Sequence, residues 1–388
     1  MKDTGYFSTE DCDLQAFATL CGQSLSPDSL RFTGDVRKNI PVYDMPALEE
    51  VLNDPAARQE LLGEWGWVLG KSAGVFVLSG AYQDCSAIDA ATAIYDRIIA
   101  REKAAAGEKA DHFAASGAND RIWNSLQKLC LDAPDVFASY FANPPVAAAC
   151  EAWLGPAYQM TAQVNLVRPG GKAQVAHRDY HLGFQTADVA ALFPAHVHDL
   201  SAVMTLQGAI AHCDMPIESG PTKLLPFSQM FRPGYMAYRR ADFREYFEAH
   251  YVQLPLKKGD ALFFNPALFH AAGENVSADI HRMANLVQVS SAFGRSLEII
   301  DRTGMCRALY PVLLQRIADG SLSGRALEAT VGAAAEGYSF PTNLDSDPPI
   351  GGLAPEAQAA LMLRALTERM PVEAFEAALT EHATRRIP

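Results

Sequence analysis

The chain has 388 residues, of which 49% are hydrophobic and 20% charged, and its formal net charge is −13. This much apolar material supports a large core and excludes a disordered protein. The acidic balance argues against a nucleic-acid partner, because binding to phosphates requires a basic surface. It does not exclude a small-molecule substrate, since the charge inside a pocket can oppose the global sign.

The cysteines and the N-terminus indicate where the protein resides. Seven cysteines are scattered along the chain without a CxxC pair, which is typical of reduced thiols in a cytosolic protein. The first residues, MKDTGYFSTEDCDLQ, are polar and acidic and do not resemble a signal peptide. No apolar run reaches the roughly 18 residues that a membrane-spanning helix needs. The sequence therefore predicts a cytoplasmic protein without membrane contact.

The first part of the chain, residues 1–156, is predicted to be mainly helical. Helical patterning is interrupted at Pro55, and an alanine-rich helix is predicted at 86–106. Between them, the short apolar run GVFVLSG at 74–80 indicates a buried strand. Residues 107–122 are rich in small and polar side chains. We interpret them as an exposed loop that acts as a lid.

The middle of the chain changes to short strand candidates punctuated by glycine, proline and aspartate. These candidates are residues 158–171, 200–212, 251–256, 261–266 and 283–293. Several short strands without long helices between them favour a sandwich or barrel over βαβ units. We therefore predict a mainly β protein with flanking helices, whose β core spans residues 157–295.

Helical patterning returns in residues 296–388, with two helices predicted within 351–379 and separated at Pro371. Alanine- and leucine-rich amphipathic helices of this kind suit two roles: they cover the mouth of a barrel, or they form a homodimer interface. The sequence leaves both open. Together with the helical part and the β core, this extension is predicted to form a single domain.

The motif VAHRDYH at 175–181 carries the most informative chemistry. Residues i and i+2 of a strand point to the same face, so His177 and Asp179 can present an imidazole and a carboxylate to one ion. His270, after the apolar strand candidate ALFFNP, is the candidate for a third ligand. Two histidines and one carboxylate form the facial triad of non-haem iron(II) oxygenases. Alternatively, His177 is a hydrogen-bonded histidine at the end of a strand.

A fourth residue favours the iron site. Arg282 follows His270 by 12 residues and begins a strand candidate. A guanidinium pairs bidentately with a carboxylate, as the distal carboxylate of 2-oxoglutarate requires. The residue types, their order and the strand context together predict a metal site with a carboxylate-bearing cosubstrate.

The chain resembles the phytanoyl-CoA dioxygenase family, which includes ectoine hydroxylase. The resemblance lies in the order HRD…H…R and in the segments ESGPTKLLPFSQ (218–229) and KKGDALFFNPALFHAAGEN (257–275). It covers residues 157–292 well and residues 65–80 weakly. It implies a double-stranded β-helix core of the cupin-like jelly-roll type and the use of Fe(II), 2-oxoglutarate and O2. By position it implies that His177, Asp179 and His270 are the iron ligands and that Arg282 binds the cosubstrate.

The resemblance also implies further cosubstrate contacts. Asn165 lies where family members place a polar contact to 2-oxoglutarate. The family usually has a hydroxyl residue two positions after the distal histidine, but Ala272 occupies that position here. Gln288 and Ser290 are candidates to replace it, because both lie an even number of residues from Arg282 on one strand face.

Candidate substrate residues are less specific. Gln163 and Gln207 are polar residues inside predicted strands, and each either faces the cavity or makes a structural hydrogen bond. His181 shares the face of His177 if the strand continues, and it either lines the pocket or is a structural histidine. Arg121 and Trp123 either close over a bound anion or form a surface stacking pair.

The segment HVHD at 196–199 also has metal-like spacing, but we interpret it as an exposed polar loop or lid. His212 and Cys213 end an apolar strand and are assigned to the core. Three functions remain in order of preference. The first is a dioxygenase that hydroxylates an unactivated C–H bond of a small molecule and releases succinate and CO2. The others are a non-oxygenase metal-dependent cupin-like enzyme and a non-catalytic small-molecule binder.

Overall fold

A computed structural model of the protein describes residues 5–106 and 119–388. The strands are β1 (Val36–Arg37), β2 (Ile40–Asp44), β3 (Val75–Ser79), β4 (Asn119–Ile122), β5 (Gln159–Val167), β6 (Thr205–Ala211), β7 (Lys223–Leu225), β8 (Ala261–Phe264), β9 (Phe269–Ala271) and β10 (Arg282–Ser290). The helices are α1 (Leu14–Cys21), α2 (Glu49–Asn53), α3 (Pro55–Lys71), α4 (Ser86–Ala106), α5 (Ser125–Asp132), α6 (Pro134–Phe141), α7 (Pro144–Leu154), α8 (Ala187–Ala190), α9 (Ala195–Val203), α10 (Gly234–Ala237), α11 (Ala241–His250), α12 (Arg302–Ala318), α13 (Gly324–Ala334), α14 (Gln358–Thr367) and α15 (Val372–Arg386).

Two sheets form the β core. The major sheet has eight strands in the order β1-β2-β3-β8-β6-β10-β5-β4, and all its pairs are antiparallel except β2 with β3. The minor sheet pairs β7 with β9, and single bridges add His177 beside His270 and Val252 beside Leu224. Because most neighbouring strands are far apart in sequence and two sheets face each other across a cavity, the arrangement is a jelly roll, and the predicted double-stranded β-helix is confirmed.

Strand β10 shows how the major sheet separates two environments. Val287 and Asn285 are fully buried on the face that the helices cover, while Ala284, Leu286 and Gln288 line a cavity between the two sheets. Side chains alternate along a strand, so one strand contributes to the core and to the cavity. Both faces are covered, which is why the strand is buried almost throughout.

Several predicted elements have different boundaries in the structure. Four strands, β1 to β4, precede residue 157 and join the major sheet, so the sheet also includes strands from outside residues 157–295. Residues 251–256 make only isolated bridges. Residues 200–203 continue helix α9 rather than β6. Of the predicted lid loop 107–122, residues 119–122 form β4, and the remainder lies outside the described residues.

The C-terminal extension packs on the rest of the molecule. Helices α14 and α15 contact α12, and α12 and α13 contact the helices beside the major sheet. Tyr310 of α12 stacks on Phe375 of α15 with ring centroids 3.8 Å apart. Both belong to the same hydrophobic cluster as the sheet residues. In the described part of the chain, no helix is long and apolar enough to cross a membrane.

Candidate metal centre and cosubstrate cavity

Two antiparallel segments bring the predicted metal ligands together. The backbone N–H of His177 donates to the carbonyl of His270 at 3.0 Å, and the N–H of His270 donates back at 3.1 Å. Two residues later, the N–H of Asp179 donates to the carbonyl of Pro266 at 3.0 Å. The segment is thus held extended beside its partner, so His177 and Asp179 point to one side as their spacing predicts.

Both imidazoles are oriented by their own backbone. The Nδ1 of His177 lies 2.8 Å from the carbonyl of Val175, and the Nδ1 of His270 lies 2.8 Å from the carbonyl of Leu268. A carbonyl can only accept, so Nδ1 carries the proton and each Nε2 presents its lone pair. The Nε2 atoms of His177 and His270 lie 3.8 Å and 3.5 Å from Asp179 Oδ2.

These distances fit a bound ion. Two atoms that each lie about 2.1 Å from one metal can be at most about 4.2 Å apart, and both distances to Asp179 satisfy this limit. Among the described residues, these three form the one cluster of histidine, cysteine and carboxylate side chains close enough to hold a metal. Two imidazoles and one carboxylate are the donor set that non-haem iron(II) prefers, with positions left open for other ligands.

The protonation states also fit. Burial lowers the pKa of His177, and the neighbouring His270 lowers it further. Burial alone would raise the pKa of Asp179, but the two adjacent imidazoles and the hydrogen bond from Gln207 lower it to about 2. At neutral pH the site therefore holds a neutral imidazole and a carboxylate, which are the forms that bind metals.

Gln207 contacts the metal site directly. Its Nε2 donates to Asp179 Oδ2 at 2.6 Å, and its Oε1 is buried without a hydrogen-bond partner in the described part of the chain. Of the two roles that the sequence left open for Gln207, the structure supports a structural hydrogen bond, although the residue also lines the cavity. Gln207 fixes the orientation of the Asp179 carboxylate.

The triad opens on a cavity of about 130 Å³ between the sheets, and Arg282 lines the same cavity. The guanidinium is buried, and its Nη1 donates to the carbonyls of Ser219 at 3.2 Å and Gly273 at 3.4 Å. Burial lowers the pKa of Arg282 to about 10, so it stays cationic at neutral pH. No carboxylate in the described residues forms an ion pair with it. A buried cation facing a cavity fits the distal carboxylate of 2-oxoglutarate.

Three of the predicted cosubstrate residues reach the cavity. Besides Arg282, these are Asn165, whose neighbour across the strand pair is Ala284, and Gln288. Ser290 does not, and its prediction is corrected: its hydroxyl donates to the carbonyl of Arg295 at 3.1 Å. The residue shares the face of Arg282, but it lies at the opposite end of β10, beyond the end of the cavity.

Two polar residues of the cavity were missed by sequence reasoning. Thr222 precedes Lys223, whose register partner is Ala271, so Thr222 lies level with Ala272 across the strand pair. It brings a hydroxyl to the place where the sequence lacks one. Gln174 also lines the cavity, and its Oε1 accepts from the N–H of Ala272 at 3.3 Å. The sequence shows the hydroxyl residue Thr222 in ESGPTKLL, but it does not show that Thr222 lies level with Ala272.

Of the candidate substrate residues, Arg121 lines the cavity and Gln163 lies directly behind its wall. Arg121 Nη1 donates to Gln163 Oε1 at 3.2 Å, and Gln163 Nε2 donates to Gln288 Oε1 at 3.1 Å. The Arg121 guanidinium lies over the Trp123 ring, 5.0 Å from its centroid. Arg121 and Trp123 therefore form the stacking pair that one of the two sequence interpretations predicts. Arg121 also faces the cavity.

His181 and the HVHD segment differ from their predictions. The chain leaves the extended conformation after Asp179, and His181 is exposed, with its Nδ1 3.4 Å from Ser201 Oγ. It does not line the cavity. HVHD is not a loop but part of helix α9. His198 is buried with Nε2 3.0 Å from the carbonyl of Ala190, and Asp199 pairs with Arg232. Both segments thus have structural partners.

The core assignment of His212 is confirmed. Its Nδ1 lies 2.8 Å from Thr92 Oγ1 and its Nε2 lies 2.8 Å from the hydroxyl of Tyr140. The Tyr140 hydroxyl in turn accepts from Asn285 Nδ2 at 3.2 Å. Burial lowers the pKa of His212 to about 3, so the ring is neutral. This network joins helices α4 and α6 to the outer face of the major sheet.

Comparison with known proteins places these observations in a family. The model of the phytanoyl-CoA dioxygenase (PhyH) family matches residues 71–284, which is more than half of the chain and includes the triad and Arg282. A sequence search of curated proteins finds no significant match.

Among solved structures, the chain is similar to three proteins. The non-heme alpha ketoglutarate dependent epimerase SnoN from nogalamycin biosynthesis is 22% identical, with 62% of this chain and 85% of SnoN covered and a TM-score of 0.44. The carbocyclase SnoK of the same biosynthesis is 17% identical, with 70% of this chain and 88% of SnoK covered and a TM-score of 0.44. AviO1 from Streptomyces viridochromogenes Tue57 is 17% identical, with 62% of this chain and 97% of AviO1 covered and a TM-score of 0.43. Similarities this low do not indicate a shared reaction.

Proposed function

The chain belongs to the phytanoyl-CoA dioxygenase (PhyH) family, and from this premise we propose that it hydroxylates an unactivated C–H bond of a small molecule. Members of the family use Fe(II), 2-oxoglutarate and O2, and the residues present fit both the metal and the cosubstrate. In the proposed reaction one oxygen atom enters the substrate and the other enters succinate, with loss of CO2. The observation that carries the proposal is that the triad and the buried Arg282 open on one cavity.

The proposed metal ligands and the proposed cosubstrate residues have separate roles. His177, Asp179 and His270 would hold the iron by one side, so that its remaining positions face the cavity. When bound, the iron would supply the oxygen activation that side chains cannot provide. Arg282 would bind the far carboxylate of 2-oxoglutarate, and the amide of Asn165 would donate a hydrogen bond to it. These contacts fix the direction in which the cosubstrate enters.

Asp179 bears on the type of oxidation. The related halogenases have a small residue at this position, which leaves room for chloride at the metal. Here the carboxylate is present, and its Oδ2 accepts from Gln207 at 2.6 Å. The anionic position is therefore occupied by the protein, which supports hydroxylation over halogenation.

The substrate side of the cavity is proposed to include Arg121, Gln163 and Gln288. Their side chains form a hydrogen-bonded row from Arg121 through Gln163 to Gln288. Trp123, which is 37% exposed beneath the Arg121 guanidinium, extends this row towards the surface. Gln207 belongs to the metal site instead, and His181 is not part of the proposed site.

Arg282 also weighs against the two alternatives. A cupin-like isomerase or hydrolase would need the triad but no buried arginine, and a simple binder would need neither. In the described part of the chain, the buried guanidinium of Arg282 donates to two backbone carbonyls and has no carboxylate partner, which leaves its charge uncompensated. Such a cation is accounted for if an anionic cosubstrate completes the site.

A succinate-release assay tests the proposal. Purified protein supplied with Fe(II), 2-oxoglutarate and O2 is expected to form succinate slowly without substrate and faster with the correct small molecule from a diverse panel. Asp179→Ala should reduce the rate by at least 100-fold, because the remaining two imidazoles hold the metal weakly. Full succinate formation by this variant would contradict the metal assignment, and full succinate formation by Arg282→Ala would contradict the assignment of Arg282 to the cosubstrate.

A further inference from the structure

Arg178 lies between two metal ligands, but its side chain points to the opposite face of the segment. It is only 1% exposed, and its Nη2 donates to the carbonyls of Ser228 at 2.6 Å and Phe231 at 2.9 Å. The guanidinium also lies 5.0 Å from the ring centroid of Tyr235. In the described part of the chain no carboxylate forms an ion pair with it. The charge is therefore stabilised by backbone carbonyls and an aromatic face.

The same turn, residues 228–231, also contacts the strand of the third ligand. The hydroxyl of Ser228 accepts from the N–H of Phe269 at 2.8 Å and donates to the carbonyl of Leu225 at 2.6 Å. Phe269 directly precedes His270 in β9. One turn thus connects to the His177–Asp179 segment through Arg178 and to the His270 strand through Ser228. The first two residues of the turn end the segment ESGPTKLLPFSQ, and no role in the chemistry has been assigned to the turn.

The guanidinium has no room to move within this cluster. A Cβ atom added to Gly234 would lie 2.0 Å from Arg178 Cζ, well inside any permitted contact. The ring of Phe269 lies on another side, with its centroid 5.3 Å from Arg178 Cζ. Close packing and fixed hydrogen bonds together determine where Arg178 sits, and with it the backbone on either side of it.

We propose that Arg178 and the 228–231 turn position the metal ligands, by holding the His177–Asp179 segment and the His270 strand at the separation that one ion requires. The inference rests on the proposed function, because it presumes that the triad binds metal. Protein ligands must lie within about 0.2 Å of their preferred distances. A small displacement of either segment would therefore weaken binding even with all three ligands present.

Arg302 provides a matched control. It is also largely buried and also donates to backbone carbonyls, at 2.9 Å to Met160 and 3.4 Å to Ala333 and Ala334, and its Nε lies 3.9 Å from Glu336 Oε2. It does not line the cavity, and none of the contacts found among the described residues joins it to a ligand segment. Arg302→Met thus removes a buried carbonyl-bound cation without disturbing the neighbours of the triad.

The test is a titration of chelator-treated protein with Mn(II), followed by electron paramagnetic resonance, with circular dichroism and thermal melting as checks on folding. Arg178→Met is expected to weaken Mn(II) binding by about 10- to 100-fold. Arg302→Met should stay within about twofold of the wild type, at a comparable change in melting temperature. Wild-type affinity in folded Arg178→Met, or an equal loss in both variants, would overturn the inference.

If Arg178→Met does not fold, Ser228→Ala decides the outcome. This variant removes one hydroxyl and leaves Arg178 in place, and a threefold or greater loss of Mn(II) affinity is expected. Unchanged affinity would overturn the inference. Failure of the proposed function gives a different result: wild-type protein would not bind Mn(II), or would bind it and form no succinate.

Discussion

At the scale of single residues, the cavity shows how a neighbouring strand can supply an expected side chain. The family pattern places a hydroxyl two residues after the distal histidine, where this chain has Ala272. Thr222 brings a hydroxyl to the same level from the neighbouring strand. Because cross-strand neighbours are about 5 Å apart, a group can move to another strand and still face the same part of a cavity.

We therefore expect Thr222 to contribute to cosubstrate binding. Thr222→Val keeps the shape but removes the hydroxyl, and the KM for 2-oxoglutarate in the succinate assay should rise about tenfold. A hydrogen bond to a charged group contributes about 1.5 kcal/mol or more, which corresponds to that factor. The turnover number at saturating 2-oxoglutarate should change little.

Ser290→Ala is the control, since this hydroxyl lies on the strand of Arg282 but donates to the carbonyl of Arg295 outside the cavity. Its KM for 2-oxoglutarate should match that of the wild type. Equal effects of the two variants would argue against a specific role for Thr222.

At the scale of elements, the helices and the major sheet are joined by polar groups as well as by apolar packing. Asn285, on the outer face of β10, bonds to Tyr140 of α6, which bonds to His212 at the end of β6. Thr92 of α4 completes the surroundings of the imidazole. A buried network of this kind is stable only while each member keeps its protonation state.

This network predicts a loss of stability in mild acid. Burial lowers the pKa of His212 to about 3 from an ordinary value of about 6.5. Below pH 6.5 the unfolded chain binds a proton that the folded protein does not, so the free energy of unfolding falls as the pH falls. Between pH 7 and pH 5 this single group should remove about 2 kcal/mol.

Urea unfolding at the two pH values measures the effect. In His212→Gln the contribution of this group disappears, so the difference in unfolding free energy between pH 7 and pH 5 should be about 2 kcal/mol smaller than in the wild type. Equal pH dependence in the two proteins would show that the imidazole is not kept neutral by burial.

At the scale of the whole molecule, the C-terminal helices complete the core that begins with the sheets. Phe375 and Leu379 are fully buried, and the hydroxyl of Tyr310 donates to the carbonyls of Ala365 and Met370. The extension is therefore tied to α12, which itself packs on α5 and α6. Whether it also covers a partner subunit stays a prediction.

If the chain is a single folding unit, as the sequence predicts, damage in the extension must destabilise all of it. Phe375→Ala removes a fully buried ring stacked on Tyr310, which typically costs about 3–5 kcal/mol. Urea unfolding should shift as one transition. A separate early transition, with the remainder unfolding as in the wild type, would instead show that the extension is an independent unit.

The chemistry of the site could largely be predicted from the sequence. Identity and spacing determined the His177, Asp179 and His270 cluster, because an i, i+2 pair in an extended segment must share a face. The same alternation correctly placed Gln288 on the face of Arg282. Alternation alone does not say how far a cavity extends along a strand, and for that reason Ser290 was wrongly included.

Local pattern was less informative where the chain changes direction. His181 shares the face of His177 only if the strand continues, and the strand ends after Asp179. The pattern of apolar and polar residues in 195–203 fits a loop as well as a helix. Only the tertiary structure shows that His198 is buried in contact with Phe7 and Ala190.

The sequence by itself indicated the family and predicted the ligand set and the charged contact for the cosubstrate, since these depend on residue types in a fixed order. Only the tertiary structure decided that Gln207 orients Asp179, that Thr222 lies level with Ala272, and that Arg178 connects both ligand segments. Each of these contacts joins residues at least 28 positions apart, and their approach is set by strand pairing and packing, which no local pattern encodes.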